Sequence, residues 1–146
     1  MKTILKLGID VGSTTIKMIV LDEQDEIVYR SYKRHKTNIT EVFVSEIRTI
    51  QELFSDSGFV ASITGSAGMG ISERIGITFS QEVVASVEVI KQKYPNTRTL
   101  IDLGGEDSKM VFFEQDKQPD IRMNGSCAGG TGAFIDQMAD LMNISI

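Results

Sequence analysis

The sequence predicts an α/β fold made of two similar units, residues 1–96 and 97–146, of which the second stops early. Three observations carry that prediction. An apolar run ending in Asp, a glycine-containing turn and a Lys on a second apolar run occur at Leu7-Gly8-Ile9-Asp10-Val11-Gly12-Ser13-Thr14-Thr15-Ile16-Lys17, and again at Leu100-Ile101-Asp102-Leu103-Gly104-Gly105-Glu106-Asp107-Ser108-Lys109. Between them apolar residues fall at helical spacing, as at Phe43, Ile47, Ile50 and Phe54. After Pro95-Asn96 the strand-and-turn pattern starts afresh, as an internal repeat of architecture does.

Along the chain, residues 4–10, 16–21 and 26–33 are expected as strands joined by tight turns, the second turn being Asp22-Glu23-Gln24-Asp25. Asn38 stands as a helix N-cap with Glu41 placed to close a capping box. The helix buries Phe43, Ile47, Ile50 and Phe54, and Gly58 occupies the place of a left-handed C′ residue. Residues 59–64 form a fourth strand, followed by a flexible turn at Gly65-Ser66-Ala67-Gly68-Met69-Gly70. A second helix runs from about Ser80 to Tyr94, with Val83, Val87, Ile90 and Tyr94 on one face, and Pro95 ends it. Strands at 98–103, 109–114 and 119–123 repeat the opening meander, and a helix beginning near Thr131 buries Phe134, Met138 and Leu141. The strands that should complete the second sheet do not follow, so the chain reads as the first part of something longer.

Bulk properties narrow the class. With 41% hydrophobic and 24% charged residues, the 146-residue chain has ordinary globular composition and enough apolar material for a core. The net charge of −5 argues against non-specific nucleic-acid binding and against attachment to anionic membranes. No run approaches the roughly 20 apolar residues that span a bilayer, and the N-terminal Met1-Lys2-Thr3-Ile4-Leu5-Lys6 lacks a signal-peptide core. A cytoplasmic protein is expected. A single cysteine, Cys127, excludes an intrachain disulfide framework and agrees with a reducing compartment.

The two Asp-Gly hairpins carry the chemistry. Each tip brings backbone N–H groups and a carboxylate to one place, and converging N–H groups favour an anion. A carboxylate does not itself favour phosphate, so Asp10 and Asp102 make most sense holding a hydrated divalent cation, which prefers oxygen. Two such hairpins facing each other would clamp the phosphates and magnesium of a nucleotide. Neither is a P-loop, because no Gly-x-x-x-x-Gly-Lys-Ser/Thr occurs. Neither is a dinucleotide fingerprint, because a strand rather than a helix follows each turn. The plainer alternative stays open at every position: Asp10 as a turn residue capping backbone N–H groups, Ser13, Thr14 and Thr15 as ordinary hairpin residues, Lys17 as a solvated lysine.

Two sequential units, each opened by such a hairpin, resemble the actin-like ATPase superfamily (ribonuclease H-like fold) that includes sugar kinases and actin. Within it the chain resembles the BadF/BadG/BcrA/BcrD ATPase family, the activators of 2-hydroxyacyl-CoA dehydratases and benzoyl-CoA reductases. Three segments carry the likeness: Gly8 to Lys17, Asp102 to Lys109, and Asn124-Gly125-Ser126-Cys127-Ala128-Gly129-Gly130-Thr131-Gly132-Ala133-Phe134-Ile135-Asp136. It covers essentially the whole chain but only about the first half of a family member.

The resemblance implies an ATPase that binds ATP and ADP with magnesium. It implies a homodimer sharing one 4Fe–4S cluster, two cysteines from each subunit, which passes a low-potential electron to an acyl-CoA dehydratase or reductase. Cys127 would be one cluster ligand. Two copies of this chain supply two thiolates where a cubane cluster takes four, so the chain alone is not expected to retain it. Asp10 and Asp102 would hold magnesium through water, with Asp102 also orienting the attacking water and Glu82 polarising it. Gly12, Ser13, Thr14, Thr15 and Lys17 on one hairpin, and Gly104, Gly105, Glu106 and Lys109 on the other, would meet the phosphates. Gly130, Thr131 and Gly132 would add a glycine-rich helix entry, which favours anions and lowers a nearby thiol pKa, though such entries also occur with no ligand. For Glu82 the bland reading is an acid placed by the helix dipole. His35, among Lys33, Arg34 and Lys36, reads as part of a solvated basic run. Two rivals remain: a small-metabolite kinase of the same fold, and a domain that binds nucleotide without turning it over. This chain by itself is expected to hydrolyse ATP weakly or not at all.

Overall fold

A computed structural model describes residues 3–114, 117–124 and 130–145. The chain divides into two compact units, Met1–Glu82 and Val83–Ile146.

The first unit is a five-stranded sheet with helices. Strands β1 (Ile4–Val11), β2 (Thr15–Leu21) and β3 (Ile27–Arg34) form an antiparallel meander. Helix α1 (Ile39–Leu53) then returns the chain so that β4 (Gly58–Thr64) lies parallel to β1, and α2 (Gly68–Ile75) leads to the short parallel strand β5 (Thr78–Phe79). The order across the sheet is β3-β2-β1-β4-β5. The cause is legible in β1, where Leu5, Leu7, Ile9 and Val11 alternate inward and Ile4, Lys6 and Gly8 outward, the period of two of a strand with one covered face. Those four residues, with Ile16, Met18, Val20, Ile50 and Ile63, make the buried core, and Phe43, Ile47 and Phe54 of α1 and its end pack against it. At the outer strand the Tyr29 hydroxyl donates to Glu46 Oε2 on α1 at 3.2 Å. Burial, and then the Glu46 carboxylate, raise the pKa of that phenol above its ordinary value.

The second unit contains α3 (Glu82–Lys93) from its second residue onward, the antiparallel sheet β6 (Thr99–Leu103), β7 (Ser108–Phe112) and β8 (Asp120–Asn124), and α4 (Gly132–Met142). No helix among the described residues is long and apolar enough to cross a membrane.

Several expected details differ. Asn38 precedes α1 but makes no side-chain cap; its amide bonds the Glu41 carboxylate instead, so the reciprocal capping box does not form. Gly58 is not a left-handed cap. It opens β4, its N–H donating to the Thr3 carbonyl at 2.9 Å, while α1 ends at Phe54 with Ser57 N–H turned onto the Phe54 carbonyl. The supposed flexible turn after β4 holds a helix, α2, because only Gly65 takes a left-handed φ and Gly68 onward are helical. Helix α3 starts at Glu82 rather than Ser80, since Ser80 N–H still pairs with the Ile63 carbonyl at the end of β4. On α4, Phe134, Met138 and Leu141 are exposed, Leu141 by 76%, and only Ala139 is buried; the three-stranded sheet leaves most of the apolar stripe uncovered among the described residues.

Candidate functional site

Asp10 and Lys17 face each other across β1 and β2, and Lys17 Nζ donates to Asp10 Oδ2 at 2.8 Å. The turn between them is closed by Gly12 N–H donating to the Thr15 carbonyl at 2.9 Å. Ser13 is half-buried, Thr14 is exposed and Thr15 turns inward. The fold does not demand glycine at 12. Its φ is not left-handed, and a Cβ there would meet Thr15 O at 3.6 Å, an ordinary contact.

Two residues outside the hairpin shape it, and neither stood out in the sequence. Gly65 follows β4 with φ +97°, and a Cβ there would overlap the Val11 carbonyl and lie 2.6 Å from Asp10 Oδ1. The next turn is tied down by Ala67 N–H donating to Val11 O at 2.9 Å. Thus the start of α2 is fastened against the foot of the hairpin that carries Asp10. The second residue is His35, which is 3% exposed and not part of a solvated run. Its backbone N–H donates to the Thr14 carbonyl at 3.1 Å, and its ring Nε2 lies 3.1 Å from the Gly12 carbonyl. Composition hid it: three cations surround it in sequence, yet the chain folds the ring inward at the end of β3. A glycine directly after an apolar strand was the available signal for Gly65; no comparable signal marked His35.

The second hairpin repeats the register, with Asp102 opposite Lys109 on β6 and β7. Here the lysine side chain is 7% exposed and its Nζ lies 2.7 Å from Asp107 Oδ2. The turn Gly104-Gly105 is held by α4: Gly132 N–H donates to the Gly104 carbonyl at 2.7 Å and Ala133 N–H to the Gly105 carbonyl at 3.2 Å. These are first-turn N–H groups of the helix, which lack intrahelical partners in any helix. Thr131 is the N-cap, fully buried, and its hydroxyl has no hydrogen-bond partner among the described residues. Gly130 precedes it at φ +88°, and a Cβ on Gly132 would stand 3.0 Å from Gly104 O.

The structure therefore brings Asp10, Gly12, Ser13, Thr14, Thr15 and Lys17 together on one hairpin. It joins Asp102, Gly104, Gly105, Glu106 and Lys109 to Gly130, Thr131 and Gly132 in another cluster. Glu82 opens α3 and is half-buried, whereas Glu106 is exposed in the second turn. Cys127, the proposed cluster ligand, lies outside the described residues. Among the described residues no group of three His, Cys, Asp or Glu side chains is arranged to hold a metal ion.

The chain is 32% identical over 149 aligned residues to the (R)-2-hydroxyglutaryl-CoA dehydratase activating ATPase of Acidaminococcus fermentans, covering 99% of this chain and 56% of that protein. Among solved structures, component A of the same dehydratase system superposes with a TM-score of 0.79 at 31% identity, over 98% of this chain and 56% of that one. The activator of the 2-hydroxyisocaproyl-CoA dehydratase from Clostridium difficile, solved with bound ADPNP, gives 0.78 at 25% identity, over 97% and 53%. The chain thus spans about half the length of the curated relatives it matches and has the actin-like ATPase fold they share. The family model for the BadF/BadG/BcrA/BcrD ATPases matches residues 7–146, and the chain belongs to that family.

Proposed function

We propose that the chain is the nucleotide-binding portion of an ATP-dependent activator of an acyl-CoA dehydratase or reductase. The observation that carries this reading is the repeated register, Asp10 opposite Lys17 and Asp102 opposite Lys109, each pair with a glycine turn beyond it. Binding ATP needs N–H donors at a bare turn and a means of neutralising phosphate charge; phosphoryl transfer then asks for positioning more than for covalent chemistry.

On this reading the Gly12–Thr15 turn would supply its Ser13 and Thr14 N–H groups as donors to the phosphates. Lys17 holds one oxygen of Asp10 and so fixes the carboxylate's orientation. Asp10 and Asp102 are the carboxylates that would hold a hydrated magnesium ion, which prefers oxygen ligands. That ion supplies charge neutralisation on the phosphates. Asp102 and Glu82 are the carboxylates assigned to orient and polarise the attacking water. Gly104 and Gly105 meet the phosphates, and their hydrogen bonds to Gly132 and Ala133 link any shift of that turn to the start of α4. Cys127 lies five residues before α4, and its ligation of a 4Fe–4S cluster shared by a homodimer rests on the resemblance of its motif. When bound, such a cluster supplies the low-potential electron; the dehydratase or reductase partner accepts it.

Calorimetry of the protein with MgATP tests the nucleotide reading. The expected result is magnesium-dependent binding that weakens about tenfold or more in Asp10→Asn and in Asp102→Asn, the scale of a lost charge-assisted contact. Absence of nucleotide binding by the wild type, or full affinity in both variants, overturns it.

A further inference from the structure

We propose that His35 is a positioning residue for the β1–β2 turn, orienting the Ser13 N–H toward the phosphate of the bound nucleotide; the inference rests on the nucleotide reading above. Both ring nitrogens are engaged. Thr37 N–H donates to Nδ1 at 3.2 Å, so Nδ1 carries a lone pair and the ring hydrogen sits on Nε2. Nε2–H then donates to the Gly12 carbonyl at 3.1 Å. In a planar trans peptide the C=O and the following N–H point in opposite directions. Drawing the Gly12 carbonyl onto the buried ring therefore turns the Ser13 N–H the other way, out of the fold. A second bond, from His35 N–H to the Thr14 carbonyl at 3.1 Å, pins the far side of the same turn.

The backbone beyond the ring supports this role. Lys36 and Thr37 have φ of 45° and 71°, two successive non-glycine residues in the left-handed region, one of them β-branched. Such conformations persist only where the surrounding structure over-determines them. What this corner produces is the Thr37 N–H aimed back at Nδ1, the contact that fixes the tautomer; Asn38 N–H, donating to the His35 carbonyl at 2.7 Å, closes it. The cost in backbone strain is thus tied to a neutral Nε2–H imidazole. A simple packing residue at this place would need neither the corner nor a ring with two distinct nitrogens.

The glutamine and asparagine variants separate the two bonds, since a glutamine amide nitrogen reaches the place of Nε2 and an asparagine amide oxygen the place of Nδ1. In MgATP titrations by calorimetry, His35→Leu and His35→Asn are expected to lose about tenfold in affinity, and His35→Gln to stay within about twofold of wild type. Amide exchange at Thr37 should follow the opposite order, slow in His35→Asn and fast in His35→Gln. Ring ¹⁵N shifts should report Nε2–H with an unprotonated Nδ1. Affinity unchanged in all three variants, equal losses in all three, or a ring found as Nδ1–H overturns the inference while leaving nucleotide binding in place. A wild type that binds no MgATP overturns the nucleotide reading, and this inference with it.

Discussion

In the β1–β2 hairpin the glycine turn is braced by a side chain, the ring of His35 on the Gly12 carbonyl, whereas in β6–β7 the turn rests on a helix, through Gly132 and Ala133 of α4. The strand registers match and the Asp–Lys pairs stand at equivalent places. Everything behind the turns differs. The ring brace holds the Gly12 peptide of the turn, and the start of α2 is fastened lower down, at Val11. A brace through the N–H groups of a helix makes the position of the turn and the position of the helix start one variable. The tip of one hairpin is thus held by a side chain and the tip of the other by a helix end.

The sharpest way to break that contrast is to add one carbon atom in each unit. At Gly65 the obstacles to a Cβ are the Val11 carbonyl and Asp10 Oδ1, and φ is +97°. Backbone cannot step aside, so Gly65→Ala is expected to cost about 3 kcal/mol or more. At Gly104 the nearest obstacle is the Asp107 carboxylate, which rotates away at the expense of its contact with Lys109, while the Asp107 carbonyl at 3.1 Å has to give by a few tenths of an ångström, and the cost falls to about 1–2 kcal/mol. Urea unfolding followed through amide signals of each unit separately measures both. Equal costs would remove the claim that the first hairpin is the more rigidly supported.

These supports also mark where sequence reading stopped. All the strands except β5, together with α1, α3 and α4, were legible because alternation in β1 and three-and-four spacing in α1 reflect contacts within one element. Strand β5 is two residues long, too short to show a period, and exists only by pairing with β4. The Asp-Gly-Lys pattern was legible because a hairpin joins residues a few positions apart. Helix α2 was hidden by its glycines: Gly68 and Gly70 read as a turn, yet the helix forms because Ala67 N–H finds Val11 and Gly68 packs closely on Ile63 and Phe79. The braces were hidden for the same reason. His35 reaches Gly12, and Gly132 reaches Gly104, across separations that no local periodicity records. The exposure of Phe134 and Leu141 was not legible either, because a stripe of apolar residues says that a face wants cover, not that this sheet provides it.

A smaller perturbation probes the helix brace directly. In Gly132→Ala the new methyl group would sit 3.0 Å from the Gly104 carbonyl, tighter than an ordinary contact, and must push the turn and helix apart by a few tenths of an ångström. We expect a destabilisation of about 1–2 kcal/mol together with faster hydrogen exchange at Ala133, by about tenfold. Exchange at Gly12 in the first hairpin should not change. If Ala133 keeps its full protection, the helix is not carried by that turn.

The smallest effect is expected at Lys17, and its contrast with Lys109 turns on burial. Lys109 is almost fully buried beside Asp107, whereas Lys17 keeps 44% of its side chain in solvent beside Asp10. Water competes for an exposed pair and side-chain entropy offsets it, so such pairs are worth under about 1 kcal/mol. Lys17→Met should therefore change stability by a few tenths of a kcal/mol, and about 0.5 M salt should erase even that. Lys109→Met keeps the buried aliphatic stem but leaves the Asp107 carboxylate without its partner; that carboxylate is still reached by water, which limits the loss to about 1–2 kcal/mol. Salt should not remove the second effect, because solvent ions do not enter the space around Lys109. Paired unfolding measurements at low and high salt would show the contrast as a persistent gap between the variants, and a gap that closes with salt would mean that Lys109 is no better shielded than Lys17.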